Sequence, residues 1–226
     1  MNKVAVIIPA LNEAGSIRSL VSELRATSQV EVIVVDNGST DTTAAEAQSA
    51  GARVVPEPRR GYGYACAAGV AAAADADIVA FIDGDYSYLP YELPVILAPI
   101  LAGQADLVLG SRPLGQISKG ALPVHQRFGN WLAARLMNTL YGLHLTDMGP
   151  YRAIRRPLLL SLEMREMTYG WPAEMMVKTA RRGARLVEVP VTLHPRRAGH
   201  SKVSGTLRGS LLAAWFILGV TIRYSL

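Results

Sequence analysis

The sequence predicts an α/β fold: a mainly parallel β-sheet with helices on both of its faces. In the first half of the chain, short apolar runs alternate with segments of helical periodicity, the spacing typical of βαβ crossovers. Residues 78–82 (Ile-Val-Ala-Phe-Ile) are continuously apolar, as expected of a strand buried on both faces. With 226 residues, half of them hydrophobic, the chain is long enough for one large core and too apolar for a disordered protein.

The first half is expected to contain five strands with four helices between them. The predicted strands are residues 4–8, 30–35, 53–55, 78–82 and 106–109. Pro9 is expected to stop the first strand, and the helix after it carries apolar residues at helical spacing: Ile17, Leu20, Val21 and Leu24. Further helices are predicted over residues 42–50, to residue 74 and over residues 93–101.

The second half changes character. Residues 124–142 predict an amphipathic helix whose apolar side chains fall on one face: Phe128, Leu132, Leu136 and Leu140. Pro172 can start a helix to about residue 182, and residues 186–189 predict a strand. A last helix begins near Leu207. Its apolar run, residues 211–222, is shorter than the roughly 20 residues that cross a bilayer, which favours a helix in the membrane interface. A contact with another subunit and a truncated membrane segment are the alternatives.

Charge and cysteine content exclude several classes of function. The net charge is +5 and arginines crowd the second half, which favours phosphates or an anionic membrane. Nucleic acid is disfavoured, since no recognised binding module accompanies the charge. The single cysteine, Cys66, excludes an internal disulfide and a cysteine-cluster zinc site. No leader of charged and then apolar residues opens the chain, which predicts a cytoplasmic protein.

The strand at residues 78–82 runs directly into Asp83-Gly84-Asp85. Open α/β sheets bind ligands beyond the carboxyl ends of their strands, so two carboxylates here can hold Mg²⁺ or Mn²⁺ and leave positions open for phosphate oxygens. An Asp-Gly turn of a hairpin is the alternative interpretation. Other polar clusters also follow predicted strands, at residues 9–13, 36–41 and 59–60 and at Arg112, and together these clusters can line one crevice.

Two common nucleotide motifs are absent from the sequence. Gly61-x-Gly63 precedes a helix, but the third glycine of a dinucleotide-binding motif would fall on Cys66. The chain also lacks a P-loop, and its four histidines show no metal-ligand spacing.

Three of these clusters resemble glycosyltransferase family 2: Pro9-Ala-Leu-Asn12-Glu13, Asp36-Asn-Gly-Ser-Thr-Asp41 and Asp83-Gly-Asp85. Segments of the second half are similar to the polyprenyl-phosphate hexose synthases, among them dolichyl-phosphate mannose synthase: Gly110-Ser-Arg112, Arg127-x-x-Asn130, Thr146-Asp-Met-Gly-Pro-Tyr151 and residues 196–205. The resemblance implies a GT-A fold and hexose transfer from a nucleotide diphosphate sugar. It implies a catalytic domain at residues 1–205, with a donor half (1–112) and an acceptor half (113–205), followed by a membrane-associating or oligomerising helix at 206–226.

The resemblance also assigns donor and metal residues. The donor is expected to contact Pro9, Ala10, Asn12, Glu13, Asp36, Arg60 and Asp83. Asp85 is expected to bind Mg²⁺ or Mn²⁺, and Asp83 to reach the donor ribose or the metal through water. Ser87 stands where relatives often carry glutamine, and its shorter side chain makes it a weak candidate ligand. The donor base, uracil or guanine, and the sugar, glucose or mannose, are left open.

An acceptor phosphate is already ionised near neutral pH and needs cations rather than a general base. The candidates that would hold it are Arg112, Arg127, Arg196, Ser201 and Lys202, and with Asp85 the four cations form the expected catalytic set. Many inverting relatives carry a Glu-Asp pair in this half, whereas this chain reads Gly170-Trp-Pro-Ala-Glu174. We therefore predict an inverting enzyme that acts on polyprenyl phosphate, peripherally bound to the inner face of the cell membrane. A hydroxyl acceptor with Glu174 as base, and a catalytically silent nucleotide-sugar sensor, remain as alternatives.

Overall fold

The structure is a computed structural model that describes residues 2–198 and 207–224, the latter with side chains from Trp215 onward. Its strands form a seven-stranded sheet in the order β3-β2-β1-β4-β6-β5-β7. They are β1 (Val4–Ala10), β2 (Glu31–Asp36), β3 (Arg53–Pro56), β4 (Ile78–Phe81), β5 (Leu107–Ile117), β6 (Arg152–Arg155) and β7 (Leu186–Leu193). Only β6 runs antiparallel to its neighbours, so the predicted mainly parallel sheet is confirmed.

Helices cover both faces of this sheet. They are α1 (Ile17–Thr27), α2 (Thr43–Ser49), α3 (Tyr62–Ala72), α4 (Leu93–Leu101), α5 (Val124–Tyr141), α6 (Arg156–Ser161), α7 (Trp171–Arg181) and α8 (Leu207–Arg223). Alternate residues of each strand point to opposite faces. Ile7 of β1 therefore joins a core with α3, α5 and α7, whereas Ile8 joins a second core with α1 and α4. Both side chains are fully buried, a gain of about 1.5–3 kcal/mol for each.

The first strand does not stop at Pro9, contrary to expectation. β1 pairs with β2 through Ala10, but its pairing with β4 ends at Ile7, opposite Phe81. The backbone of Pro9 faces the β4 side, beyond the last pair, so its missing N–H costs no ladder hydrogen bond. The strand can therefore carry Pro9 to the sheet edge.

Strands from the second half of the chain pair with those of the first half in one sheet. β6 lies between β4 and β5, and its Arg152–Arg155 segment pairs with both strands. β5 and β7 extend well past their predicted ends, to Ile117 and Leu193, with a register shift between Ser111 and Gln116. The long β5–β7 pair forms one wall above the carboxyl ends of β1 and β4.

The α5 helix has nearly the predicted length, but the apolar face predicted for it is not the face that enters the core. Its buried residues are Ala133, Ala134 and Met137, while Phe128 and Leu132 are exposed. Among residues 2–198 and 207–224, no helix combines the length and hydropathy that a membrane crossing needs.

Candidate active site

A cavity of about 730 Å³ lies at the carboxyl ends of β1 and β4, under the end of β7. The sequence-predicted residues that line it are Pro9, Ala10, Glu13, Arg60, Asp83, Asp85, Ser87, Arg112 and Arg196. This position agrees with the ligand crevice expected of an open α/β sheet. Four of the five polar clusters thus bring predicted residues to one cavity, and the fifth, residues 36–41, reaches it through Asn37.

Asn12 and Asp36 lie beside this cavity rather than among its lining residues. Asn12 Oδ1 accepts a hydrogen bond of 2.8 Å from the Thr40 backbone N–H, and Asp36 Oδ1 accepts one of 2.9 Å from that of Ser39. Asn12 has a φ of +53°, a left-handed conformation that asparagine adopts more readily than most residues. In this structure both side chains fix the two loops that carry the donor-side lining.

Asn37 was not among the candidates, yet it lines the cavity and holds its edge together. Its Nδ2 donates to the carbonyls of Glu57 (2.9 Å) and Arg59 (2.7 Å), and its Oδ1 accepts from the Gly61 N–H (3.0 Å). These bonds position the backbone on both sides of Arg60. The contacts span 20 to 24 residues, so nothing in the local sequence indicates them.

Asp83 and Asp85 occupy the turn directly after β4. The Asp85 carboxylate accepts from the Ser87 N–H at 2.9 Å, and the Gly84 carbonyl accepts from the Ser16 hydroxyl at 2.8 Å, so the turn is held from both sides. Burial, followed by the neighbouring charge of Asp85, raises the pKa of Asp83 to about 7. Two partly buried carboxylates that are two residues apart in one turn favour a cation between them.

Arg196 joins this carboxylate group from the opposite wall. Its Nη1 lies 3.0 Å from Asp85 Oδ2, and its Nη2 lies 2.5 Å from Glu13 Oε1. The buried Nε of Arg196 makes no hydrogen bond to the described residues. A predicted acceptor residue thus contacts a predicted metal ligand and a predicted donor residue at once.

Asp83 and Asp85 are suitable ligands for Mg²⁺ or Mn²⁺, because both are carboxylates in a partly buried turn that opens to the cavity. Within the described ranges, no three His, Cys, Asp or Glu side chains are grouped to hold a metal. A cation here would complete its coordination with diphosphate oxygens and water, as Mg²⁺ commonly does.

Arg112 projects towards the cavity while its guanidinium is clamped by Asp147. The Nε and Nη2 atoms of Arg112 each donate to the Asp147 carboxylate at 2.6 Å, and Nη2 also lies 3.2 Å from Asn130 Oδ1. The Asp147 side chain is fully buried. Burial alone raises the pKa of this carboxyl, but the hydrogen bonds and charge of Arg112 outweigh it, so the pKa is lowered overall. This pair joins β5 to the segment before β6.

The remaining acceptor candidates are not brought to the cavity in the described residues. Arg127 is exposed on α5 and is not a lining residue, although its neighbour Gln126 is. Ser201 and Lys202 lie outside the residues that the structure describes.

Glu174, the candidate base for a hydroxyl acceptor, is buried away from the cavity lining. It forms an ion pair of 2.7 Å with Lys178 and accepts hydrogen bonds from the backbone of Arg165 and Glu166 and from the Tyr224 hydroxyl. These contacts tie α7 to the preceding loop and to the end of α8. Glu174 acts as a structural junction in this arrangement.

His194 lines the cavity, although its spacing in the sequence gave no sign of a site. Its backbone N–H donates to the Ser87 carbonyl at 2.8 Å, and its Nδ1 lies 2.9 Å from the Ser118 hydroxyl. Through its backbone and its imidazole together, His194 therefore connects the loop after Asp85 with the loop that precedes α5.

A solved structure with the same architecture is glucosyl-3-phosphoglycerate synthase from Mycobacterium tuberculosis, in complex with Mn²⁺, UDP-glucose and phosphoglyceric acid. It superposes with a TM-score of 0.82 at 26% identity, over 99% of this chain and 80% of that one. The present fold is thus of the GT-A type.

Several curated relatives match over nearly their full lengths. An uncharacterized glycosyltransferase of M. tuberculosis is 42% identical, over 93% of this chain and 94% of the relative. The dolichyl-phosphate hexose transferase of Haloferax volcanii is 38% identical (92% and 90%), and the undecaprenyl-phosphate mannosyltransferase of Micrococcus luteus is 31% identical (98% and 96%). The model of the family "Glycosyl transferase family 2" matches residues 5–162. This chain belongs to glycosyltransferase family 2.

Proposed function

We propose that this glycosyltransferase transfers a hexose, glucose or mannose, from a UDP- or GDP-linked donor to a polyprenyl phosphate at the cytoplasmic membrane face, with inversion at the anomeric carbon. The observation that carries the proposal is the opposition of charges across one cavity. Glu13, Asp83 and Asp85 lie on the donor side, and Arg112 and Arg196 enter from the other. Two relatives named for transfer to undecaprenyl or dolichyl phosphate support this acceptor class.

The donor side supplies binding and a place for the divalent cation. Glu13, Arg60 and the segment at Pro9 and Ala10 would contact the nucleotide, and Asp83 and Asp85 would hold Mg²⁺ or Mn²⁺. The cation, when bound, offsets negative charge that grows on the leaving diphosphate. The solved synthase that binds Mn²⁺ and UDP-glucose at 26% identity supports this division.

On the acceptor side, a phosphate oxygen would attack the anomeric carbon of the sugar. The new carbon–oxygen bond forms as the bond to the donor β-phosphate breaks, and the nucleotide diphosphate leaves with the electron pair. A phosphate nucleophile has no proton to lose, so the step needs orientation and charge rather than a base. Arg196 is suited to this role, because its buried Nε retains an N–H without a partner among the described residues.

A hydroxyl acceptor is the second candidate. The related synthase was solved with phosphoglyceric acid, a hydroxy acid, and transfer to a hydroxyl requires a general base. Glu174 is poorly placed for that task, but His194 is an imidazole in the described cavity lining. Replacing His194 by glutamine should therefore reduce turnover severely for a hydroxyl acceptor, and much less for a phosphate.

The proposal is tested with the full chain in detergent, Mn²⁺, and a panel of UDP- and GDP-hexoses with undecaprenyl phosphate. We expect one donor to give a glycolipid that resists phosphatase but is released by mild acid, as a hexosyl phosphodiester would be. Nucleotide-sugar binding without turnover across the panel would instead support the silent sensor.

A further inference from the structure

The outward face of α5 carries large apolar side chains that are exposed to solvent. Val124 is 82% exposed, Phe128 62%, Trp131 55% and Leu132 41%. These four positions recur at the spacing of one side of a helix, and the rings of Phe128 and Trp131 lie 5.9 Å apart. Contiguous exposed apolar residues of this size commonly mark an interaction site. We refer to these four residues as the α5 face.

Within residues 107–146, which include α5, every charged side chain is basic. Between Asp106 and Asp147 the sequence contains no acidic residue, whereas Lys119, Arg127 and Arg135 are all exposed in that interval. Arg135 lies on the same side of the helix as Phe128 and Trp131. Its aliphatic stem can follow the apolar surface while the guanidinium reaches outward. An apolar centre with a basic rim complements an anionic lipid surface.

The same charge pattern disfavours a second copy of this chain as the occupant. An isologous dimer through the α5 face would bring two basic rims together without acidic partners from residues 107–146. A membrane offers both missing parts, hydrocarbon for the aromatic rings and lipid phosphates for the cations.

The α5 face also adjoins the cavity. Leu122, Pro123 and Gln126, at the entrance to α5, are cavity-lining residues, and Val124 lies between them in the chain. Seating the α5 face in a bilayer would bring this wall of the cavity to the level of the lipid head groups. A lipid phosphate could then reach the cavity without leaving the membrane.

We infer that the α5 face is a membrane-docking surface that inserts Phe128 and Trp131 into the interface of an anionic bilayer. The inference deepens the proposed function and rests on it, since it locates the membrane that would present the acceptor. It assigns docking to α5, in addition to any contribution from α8.

The test is sedimentation of the full chain with vesicles of phosphatidylcholine containing 30% phosphatidylglycerol, without donor or acceptor. The Phe128→Gln/Trp131→Gln variant should lower the partition coefficient at least about 10-fold, because each ring loses apolar burial. Val95→Gln/Leu101→Gln is the matched control, since both residues are similarly exposed on α4, across the sheet, and it should bind like the wild type. Lys119→Glu/Arg135→Glu should also weaken binding at least about 10-fold. Unchanged urea midpoints would establish that the variants are folded.

Insertion itself is measured by quenching with brominated lipids. In Trp215→Phe, the indoles left are the buried Trp171 and the exposed Trp131, so quenching should persist, whereas Trp131→Phe should lose most of it. Absence of vesicle binding, or equal binding by the α5 variant, would overturn the inference. So would a wild-type dimer in sedimentation velocity that the α5 variant converts to monomer. If the docking inference failed, turnover on polyprenyl phosphate in detergent would still support the proposed function. If the chain docked on vesicles but showed no turnover, the docking inference would hold and the proposed function would fail.

Discussion

The cavity has two walls that differ in charge and in how their charges are compensated. The donor wall carries Glu13, Asp83 and Asp85, and the acceptor wall carries Arg112 and Arg196. On the donor wall, burial and then the neighbouring charge of Asp85 raise the pKa of Asp83 to about 7, and Arg196 from across the cavity contacts Asp85. On the acceptor wall, Arg112 is already matched by Asp147 through two hydrogen bonds of 2.6 Å. We therefore expect the donor wall to bind added cations, while the acceptor wall holds an arginine that is already paired with a carboxylate.

The largest effect is expected from removing a charge on the donor wall. Asp85→Asn preserves the shape of the side chain but removes the anionic ligand, so metal-dependent turnover should fall by about 10³-fold or more. Initial rates at saturating Mn²⁺ measure this. Asp75→Asn, an exposed change remote from the cavity, is the control and should leave the rate unchanged. Full activity of Asp85→Asn would refute the metal assignment.

Breaking the acceptor-wall pair should mainly affect stability. Asp147→Asn leaves the Arg112 guanidinium, only 12% exposed, without its counter-ion, at a cost of about 3–5 kcal/mol in unfolding free energy. The matched control is Asp106→Asn, which breaks a similar two-point pair with the 53% exposed Arg185 and should cost about 1 kcal/mol or less. Urea unfolding measures both. Equal losses would show that the buried pair has no special structural role.

Arg196 contacts Asp85 from across the cavity, so removing its side chain should affect acceptor binding and Mn²⁺ binding differently. In Arg196→Ala the acceptor KM should rise about 10–100-fold, because an arginine–phosphate contact is lost. Mn²⁺ affinity should stay the same or increase, because Asp85 is relieved of a competing cation. Calorimetric Mn²⁺ titration and acceptor kinetics provide the two readouts.

The control is the adjacent Arg197→Ala, which removes a guanidinium that stacks on the Tyr86 ring. It should change both quantities by less than Arg196→Ala. If Arg196→Ala lost affinity for both Mn²⁺ and the acceptor, the idea that Arg196 competes with Mn²⁺ for Asp85 would be contradicted.

A smaller effect is expected in the pH dependence of stability without metal. The Asp83 pKa is about 7 in the folded chain and about 3.9 when unfolded, so the folded state binds more protons between these values. Unfolding free energy should therefore fall as pH rises from about 4 to about 7, by at most about 1.4 kcal/mol per pH unit from this group. Urea unfolding in EDTA should show a flatter profile for Asp83→Asn. Identical slopes would contradict the raised pKa.

The same contrast explains what could be predicted from the sequence. Donor-wall residues follow parallel strands directly, and the polar cluster after each strand shows where β1 and β4 place Glu13, Asp83 and Asp85. The acceptor wall depends on contacts distant in sequence. Arg112 is fixed by Asp147, 35 residues later, and β6 enters the sheet between β4 and β5, which no local pattern indicates.

For α5, the sequence pattern predicts the helix correctly but does not show what surrounds its apolar face. Amphipathic spacing at Phe128 and Leu132 predicts a helix, but spacing does not tell which surface the apolar side meets. Here Ala133, Ala134 and Met137 pack inward, whereas Phe128 and Leu132 are exposed. His194 was missed for a related reason, since only the fold brings it to Ser87.

The central claim is that the acceptor is a phosphate, and a competition assay tests it most directly. The full chain, Mn²⁺ and its preferred radiolabelled nucleotide sugar are incubated with equal amounts of undecaprenyl phosphate, undecaprenol and phosphoglyceric acid. The account predicts that label enters the lipid phosphate almost exclusively, and that His194→Gln retains most of this activity. Label recovered chiefly in undecaprenol or phosphoglyceric acid, and abolished in His194→Gln, would contradict it.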